Sequence, residues 1–248
     1  MPAARNRNVN SSFRPKGRTI RNSEQLRRKI RLVSGGLNQA AHAFWSHAQL
    51  RELVPEFLFV DYSISRATTP LMEAAFTVAR NLSDSDPVAA CLAEYLSKHI
   101  PEERHHDEWL LGDLEAIGQK REQVLERMPS PTAATLVGAQ YYWVFHAHAV
   151  SLLGYLAVME GEPPSFLSLQ EVIAKTGLPV KAFRTFIEHA HLDPQHTDEL
   201  NDVLDRMPLN ERHKSLIGVS AVQTVHWLRC AFEELLEPHS QLQSVGGG

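Results

Sequence analysis

Residues 183–200 read FRTFIEHAHLDPQHTDEL. Phe183, Phe186, Ile187 and Leu200 recur at helical intervals, so the stretch is a helix that turns part of its surface inward. At about 100° per residue, Asp193 stands about 40° round from His189, and His196 about 20° to its other side. His189, Asp193 and His196 therefore share one stripe, while His191 points roughly the opposite way. Three ligand-capable side chains on one stripe suit a metal ion; the competing reading is a polar surface face with incidental histidines. Pro194 lies inside the stripe and has no N–H for the Ala190 carbonyl. Either the helix loosens there and splays Asp193 and His196, or it begins again at Pro194.

The same period governs the rest of the chain. Ser23 reads as an N-cap with Glu24 in the first turn. Pro55 and Pro70 punctuate an apolar segment from about Leu50 to Leu82, and Ser83-Asp84-Ser85-Asp86-Pro87 reads as a loop and a helix N-terminus. A helix runs from Val88 toward Ile100, meets Pro101, and resumes through Leu114 to a stop at Gly118. Pro129 and Pro131 open a long apolar run from Thr132 to Glu160, which Gly161 and Pro163-Pro164 close. Further helices occupy roughly Val180 to Met207 and Glu211 to Leu236. No segment alternates with period two, so the chain is all-α, a helical bundle in one domain over residues 23–240. Residues 1–22 carry Arg5, Arg7, Arg14, Lys16, Arg18 and Arg21 without an acidic residue and read as a mobile basic tail; 241–248 end in three glycines and read as flexible.

Of 248 residues, 43% are hydrophobic and 22% charged, which excludes wholesale disorder. A net charge of −4 gives no electrostatic reason to bind nucleic acid. No apolar run is long enough for a membrane span or a signal peptide, so the expected location is cytoplasmic. Two cysteines, Cys91 and Cys230, are too few for a disulfide framework or a thiolate zinc site. The 13 histidines are the unusual feature, and eight of them lie between residues 99 and 196.

Two further places offer ligands. In Glu102-Glu103-Arg104-His105-His106-Asp107-Glu108-Trp109, Glu103 and His106 are spaced i,i+3, and Glu102 and His106 i,i+4; either pair could serve one ion, and an exposed acidic helix start is the alternative. Glu160 closes the run from Val150, where a carboxylate is costly if buried without a partner. His146 lies about 21 Å from Glu160 along a continuous helix and cannot share its ion. Tyr142, His146 and His148 are candidates for a substrate pocket or for core packing, and Arg66, Arg80 and Arg184 for a carboxylate anchor or plain surface. Gathered indoors, Glu103, Glu160 and Asp193 would repel one another; two divalent cations would reconcile them with His106, His189 and His196. Nitrogen and oxygen donors without thiolate suit iron or manganese.

The ordered set Glu-Glu-x-x-His-Asp-Glu-Trp-Leu-Leu-x-Asp-Leu (102–114), Gly-Tyr-Leu-x-Val-Met-Glu-Gly (154–161) and H-x3-D-x2-H (189–196) resembles the heme-oxygenase-like diiron oxidases and oxygenases, often labelled iron-containing redox enzymes. The resemblance covers roughly residues 40–235. It implies a bundle of about seven helices, frequently a homodimer, with Glu103 and His106 on one core helix, Glu160 on the next, and His189, Asp193 and His196 on a third. A further carboxylate of some members would fall in Thr69-Pro-Leu-Met-Glu73, where Glu73 is the candidate, about one residue out of register. The resemblance also implies two Fe(II) ions, O2 as co-substrate and an external electron donor. The substrate would be a small molecule such as an amino acid, amine or fatty acid, undergoing N-oxygenation, desaturation or oxidative C–C cleavage. The alternatives are the same bundle with other chemistry (heme binding, cofactorless oxidation, thiamin-type hydrolysis) and a non-enzymatic metal- or partner-binding protein.

Overall fold

A computed structural model describes residues 20–161 and 165–237; most of the N-terminal tail, the Pro163-Pro164 stop and the C-terminal tail fall outside them. Among the described residues the chain forms α-helices, two short 3-10 turns and no strand. The helices are α1 (Asn22–Val33), α2 (Gly35–Ser46), α3 (Leu50–Leu82), α4 (Pro87–Glu103), α5 (His106–Ala116), α6 (Arg121–Glu126), α7 (Pro131–His146), α8 (Leu152–Met159), α9 (Phe166–Thr176), α10 (Arg184–Arg206) and α11 (Glu211–Leu236). The segments outnumber seven because the run from Thr132 to Glu160 divides into α7 and α8, α2 follows directly on α1, and α6 and α9 are additional short helices. None of these helices is long and apolar enough to cross a membrane.

Local chemistry sets several ends as expected. Asp86 caps α4, accepting from the Val88 and Ala89 amides at 2.8 and 3.2 Å, with Pro87 at the first helical position. Ser130 with Pro131 does the same for α7. Gly118, at φ +90°, ends the turn after α5.

Elsewhere the structure corrects the sequence reading. Ser23 is not a cap: it sits inside α1, and its amide and hydroxyl both bond the Asp205 carboxylate, at 2.9 and 2.8 Å. The break after Ile100 does not come at Pro101, which lies inside α4; it comes at Arg104 and His105, the latter left-handed at φ +73°. Glu103 and His106 thus belong to two helices, as last residue of one and first of the next. The run from Thr132 to Glu160 is also interrupted, by Ala147, His148 and the 3-10 turn Ala149–Ser151. Helix α10, by contrast, continues through Pro194 rather than starting there.

Two apolar cores result. One joins Leu71, Met72, Leu92, Leu96, Leu136, Leu156 and Leu200; the other joins Phe44, Leu58, Leu110, Leu114 and Phe183. The long helix α3 contributes to both. Helix α11 crosses α8 so closely that a Cβ at Gly154 would collide with the Ile217 carbonyl oxygen and stand 2.8 Å from the Ala221 amide nitrogen. This crossing positions the end of α8, and therefore Glu160.

Candidate metal centre

The end of α4, the start of α5, the end of α8 and the middle of α10 bring their polar side chains together. His106 Nδ1 stands 3.0 Å from Glu103 Oε2, and His196 Nδ1 3.3 Å from Glu103 Oε1. His99 Nε2 donates to Glu160 Oε1 at 3.1 Å, while His99 Nδ1 lies 3.6 Å and His196 Nε2 3.8 Å from Glu102 Oε2. Three sets of donor atoms each converge within 4.8 Å: Glu103, His106 and His189; His99, Glu103 and Glu160; His99, Glu102 and His196. Glu103 belongs to two of the sets. Its side chain is 12% exposed, against 40% for Glu102.

Secondary contacts hold the donors in place. His189 Nδ1 donates to the Thr185 carbonyl at 2.8 Å, which leaves Nε2 with its lone pair free. His106 stacks on Trp109 at 4.2 Å, and His99 on Tyr95 at 5.1 Å. Thr197 donates to the Glu160 carbonyl at 2.8 Å, and Arg27 to the Ala157 carbonyl at 2.8 Å, tying α8 to α10 and α1.

Burial and neighbouring charge set the protonation. Burial disfavours a charged His99, yet the Glu160 hydrogen bond and the charges of Glu160, Glu103 and Glu102 outweigh it and raise its pKa to about 9. Asp193 is pushed up to about 8, first by burial and then by the charges of Glu160 and Glu103. Burial also works to raise Glu103, but His106 and His99 hold it below the ordinary carboxylate value. His189 is lowered, chiefly by burial.

The donors fit a metal better than they fit one another. Six buried atoms of these donor residues have no hydrogen-bond partner among the described residues: His99 Nδ1, Glu103 Oε1, His106 Nδ1, Glu160 Oε2, Asp193 Oδ1 and His196 Nδ1. Such groups are costly to bury unpaired, and the orphaned imidazole nitrogens stand 3.0 to 3.6 Å from carboxylate oxygens without hydrogen-bond alignment. Imidazole and carboxylate donors without thiolate are those that iron and manganese accept.

The sequence-predicted residues divide clearly. Glu103, His106, Glu160, His189 and His196 come together, and Glu102 sits at the edge. Asp193 is buried alongside, within electrostatic reach of Glu160 and Glu103, but in none of the three converging sets. Glu73 stays at the surface, paired with Arg104 at 3.1 Å, because it lies on the outer side of a turn whose inner side carries the buried Leu71, Met72 and Ala75. The proposed pocket residues lie elsewhere: Tyr142 and His146 are exposed on α7, and His148, in the break between α7 and α8, bonds Asp86 at the start of α4 at 3.0 Å. His99 escaped the sequence reading, although it precedes Glu103 by four residues on the apolar side of α4, next to Leu96 and Ile100.

A cavity of about 770 Å³ lies next to the end of α8 and the start of α10 and is lined by residues other than the donors, among them Trp45, Phe57, Asp61, Met159, Phe183 and Phe186, whereas a smaller one of about 380 Å³ is lined by Tyr95 and Glu102. None of the larger cavity's described lining residues is a cysteine.

The fold recurs in solved structures at low identity. A domain of unknown function with a heme oxygenase-like fold from Shewanella denitrificans matches with a TM-score of 0.75 and 17% identity, over 91% of this chain and 96% of that one. A TenA homolog from Pseudomonas syringae pv. tomato matches at 0.63 and 11%, over 86% and 92%. A CADD-like protein of unknown function from Nostoc punctiforme matches at 0.62 and 14%, over 85% and 96%. These likenesses establish a heme-oxygenase-like bundle. No curated protein matches the chain. The sequence pattern of a protein family does match, over residues 64–226, a span that holds every donor described above. The chain belongs to the iron-containing redox enzyme family.

Proposed function

We propose that the protein is a nonheme diiron oxidase or oxygenase that uses O2 to oxidise a small-molecule substrate. The observation that carries this reading is the set of six orphaned donor atoms contributed by α4, α5, the end of α8 and α10. One ion would be held by Glu103, His106 and His189, the other by His99, Glu103 and Glu160, with His196 and Asp193 completing the surround. When bound, two Fe(II) ions supply the electrons that reduce O2 and thereby the oxidising power. Turnovers that leave the ions oxidised require an external electron donor.

The chain's own residues do the rest. Glu103 offers one carboxylate to both sets, and the Thr185 carbonyl fixes the His189 ring with Nε2 inward. Asp193 and His99 hold protons in the metal-free chain and release them as cations arrive. The apolar walls of Met159 and Phe186, next to Glu160 and one turn before His189, keep water from the reacting side. A thiamin-type hydrolase is disfavoured because its nucleophilic cysteine has no counterpart along the larger cavity.

Anaerobic Fe(II) titration tests the proposal. It should saturate at about two equivalents per chain, and at no more than one in a His189→Ala/His196→Ala double variant. Saturation well below two that is unchanged in the variant would overturn the reading.

A further inference from the structure

Two carboxylates that the metal sites do not use line the cavity next to the end of α8: Glu171, at the exposed rim, and Asp61, further in. Asp61 lies on α3, one turn after Phe57 and one turn before Ile64, and all three line the cavity. It makes no hydrogen bond or ion pair with a described residue. The charge facing it is another acid: Asp113 of α5, fully buried, with Oδ2 accepting from the Thr185 amide at 3.0 Å and Oδ1 unpartnered. Aromatic rings form much of the remaining wall. Phe57 meets Trp45 edge-on at 4.8 Å and stacks on Phe186 at 5.7 Å and Phe232 at 5.9 Å. The other polar residues lie at the exposed rim, where Lys175 is engaged with the Trp45 carbonyl at 3.0 Å.

An apolar, aromatic chamber whose inner carboxylate is Asp61, with Glu171 only at the rim, is complementary to a cation carried on an apolar body. It is the wrong shape of charge for a fatty acid. No arginine among the described residues lines it, and a carboxylate entering head-first would meet Asp61 and Asp113. Of the sequence-stated anchors, Arg184 lies over the Trp109 ring and Arg66 over the Tyr62 ring. An α-amino acid is disfavoured for the same reason, since its carboxylate would travel with its ammonium.

We propose that this cavity binds a monoamine, its ammonium seated on Asp61 and its hydrocarbon or aromatic body against Trp45, Phe57, Phe186 and Phe232. Burial and the Asp113 charge raise the Asp61 pKa to about 7, so the acid gains a partner when the cation arrives. The buried Tyr155 hydroxyl, bonded to Thr68 at 2.6 Å, is influenced by Asp61 as well as by Glu160 and Glu103. Only the fate of the ligand rests on the diiron reading; its binding does not.

The experiment is calorimetric titration of the full-length chain, as purified and after removal of metal by chelation, with three probes: 2-phenylethylamine, 2-phenylethanol and 3-phenylpropanoate. The expected result is amine binding at least about tenfold tighter than alcohol, with the carboxylate weakest, in both preparations. Asp61→Asn should erase the preference while retaining the alcohol. Ala231→Met, which narrows the cavity from α11, should weaken amine and alcohol together, and it carries the test if Asp61→Asn does not fold. Equal binding of amine and alcohol by the wild-type chain, or no binding of any probe, overturns the proposal. So does an amine preference seen only when metal is present, which would place the amine on the ions. None of these outcomes alters the Fe(II) stoichiometry, so a failure here is distinguishable from a failure of the diiron reading.

Discussion

Asp193 and His99 hold protons in the metal-free chain at pH values where the unfolded chain has released them. The ordinary pKa of Asp193 is 3.8 and its folded value about 8; for His99 the values are 6.5 and about 9. Between those limits the folded state binds more protons, so both groups contribute stability at low pH that is lost as pH rises. Glu103, held below its ordinary value, acts in the opposite sense, and its contribution is lost only in acid. The melting temperature of the metal-free protein should therefore fall from about pH 5 to about pH 9. Asp193→Asn should flatten that fall and exceed wild type at the alkaline end; a melting temperature that rises across the range would contradict the assignment. The donors also predict stoichiometry. His99→Ala removes an imidazole from two converging sets and should lower anaerobic Fe(II) binding from about two equivalents toward one. Glu73→Ala, at an exposed ion pair worth about 0–1 kcal/mol, should leave it unchanged.

At the scale of elements, the centre depends on a break and a crossing. The left-handed His105 lets α5 start afresh while His106 still meets Glu103, and a Cβ in that conformation costs about 1 kcal/mol. His105→Gly should therefore raise stability by about 0.5–1 kcal/mol in urea denaturation of the metal-free chain. Gly154→Ala should act the other way, by about 3 kcal/mol or more, because the added methyl meets backbone atoms of α11 that cannot rotate aside. Neither position announces itself in the sequence. The helices were legible from period, caps and prolines, and Asp86-Pro87, Ser130-Pro131 and Gly118 lie at ends where local chemistry decides. The breaks were less legible, because proline removes one hydrogen bond without dictating where the helix stops: α4 passes through Pro101 and α10 through Pro194, whereas α4 ends beside a histidine.

For the whole molecule, the polar centre was legible wherever ligands follow each other within one turn, as in H-x3-D-x2-H. It was hidden where tertiary packing chooses among equals. His99 is one of many histidines until α8 places Glu160 against it, and Asp61 is one acid among many until the helices enclose it in a cavity. The same distinction predicts how the protein loosens. Helices α3 and α11 are anchored in both apolar cores without help from the centre, whereas α10 contributes Leu200, Val203 and Leu204 to one core and spends its middle turns on donors. Metal bound to the folded state alone stabilises it by RT ln(1 + [L]/Kd), about 2.7 kcal/mol at a hundred times Kd, which for a chain of this size is about 5–10 °C in melting temperature. That stabilisation acts locally, because only residues near 99–106, 160 and 189–196 carry donors. Hydrogen exchange should show the middle of α10 and the α4–α5 junction losing protection on chelation, with α3 and α11 unchanged below the global unfolding limit. Uniform loss of protection along all five of these helices would mean that the ions hold the entire bundle rather than its centre.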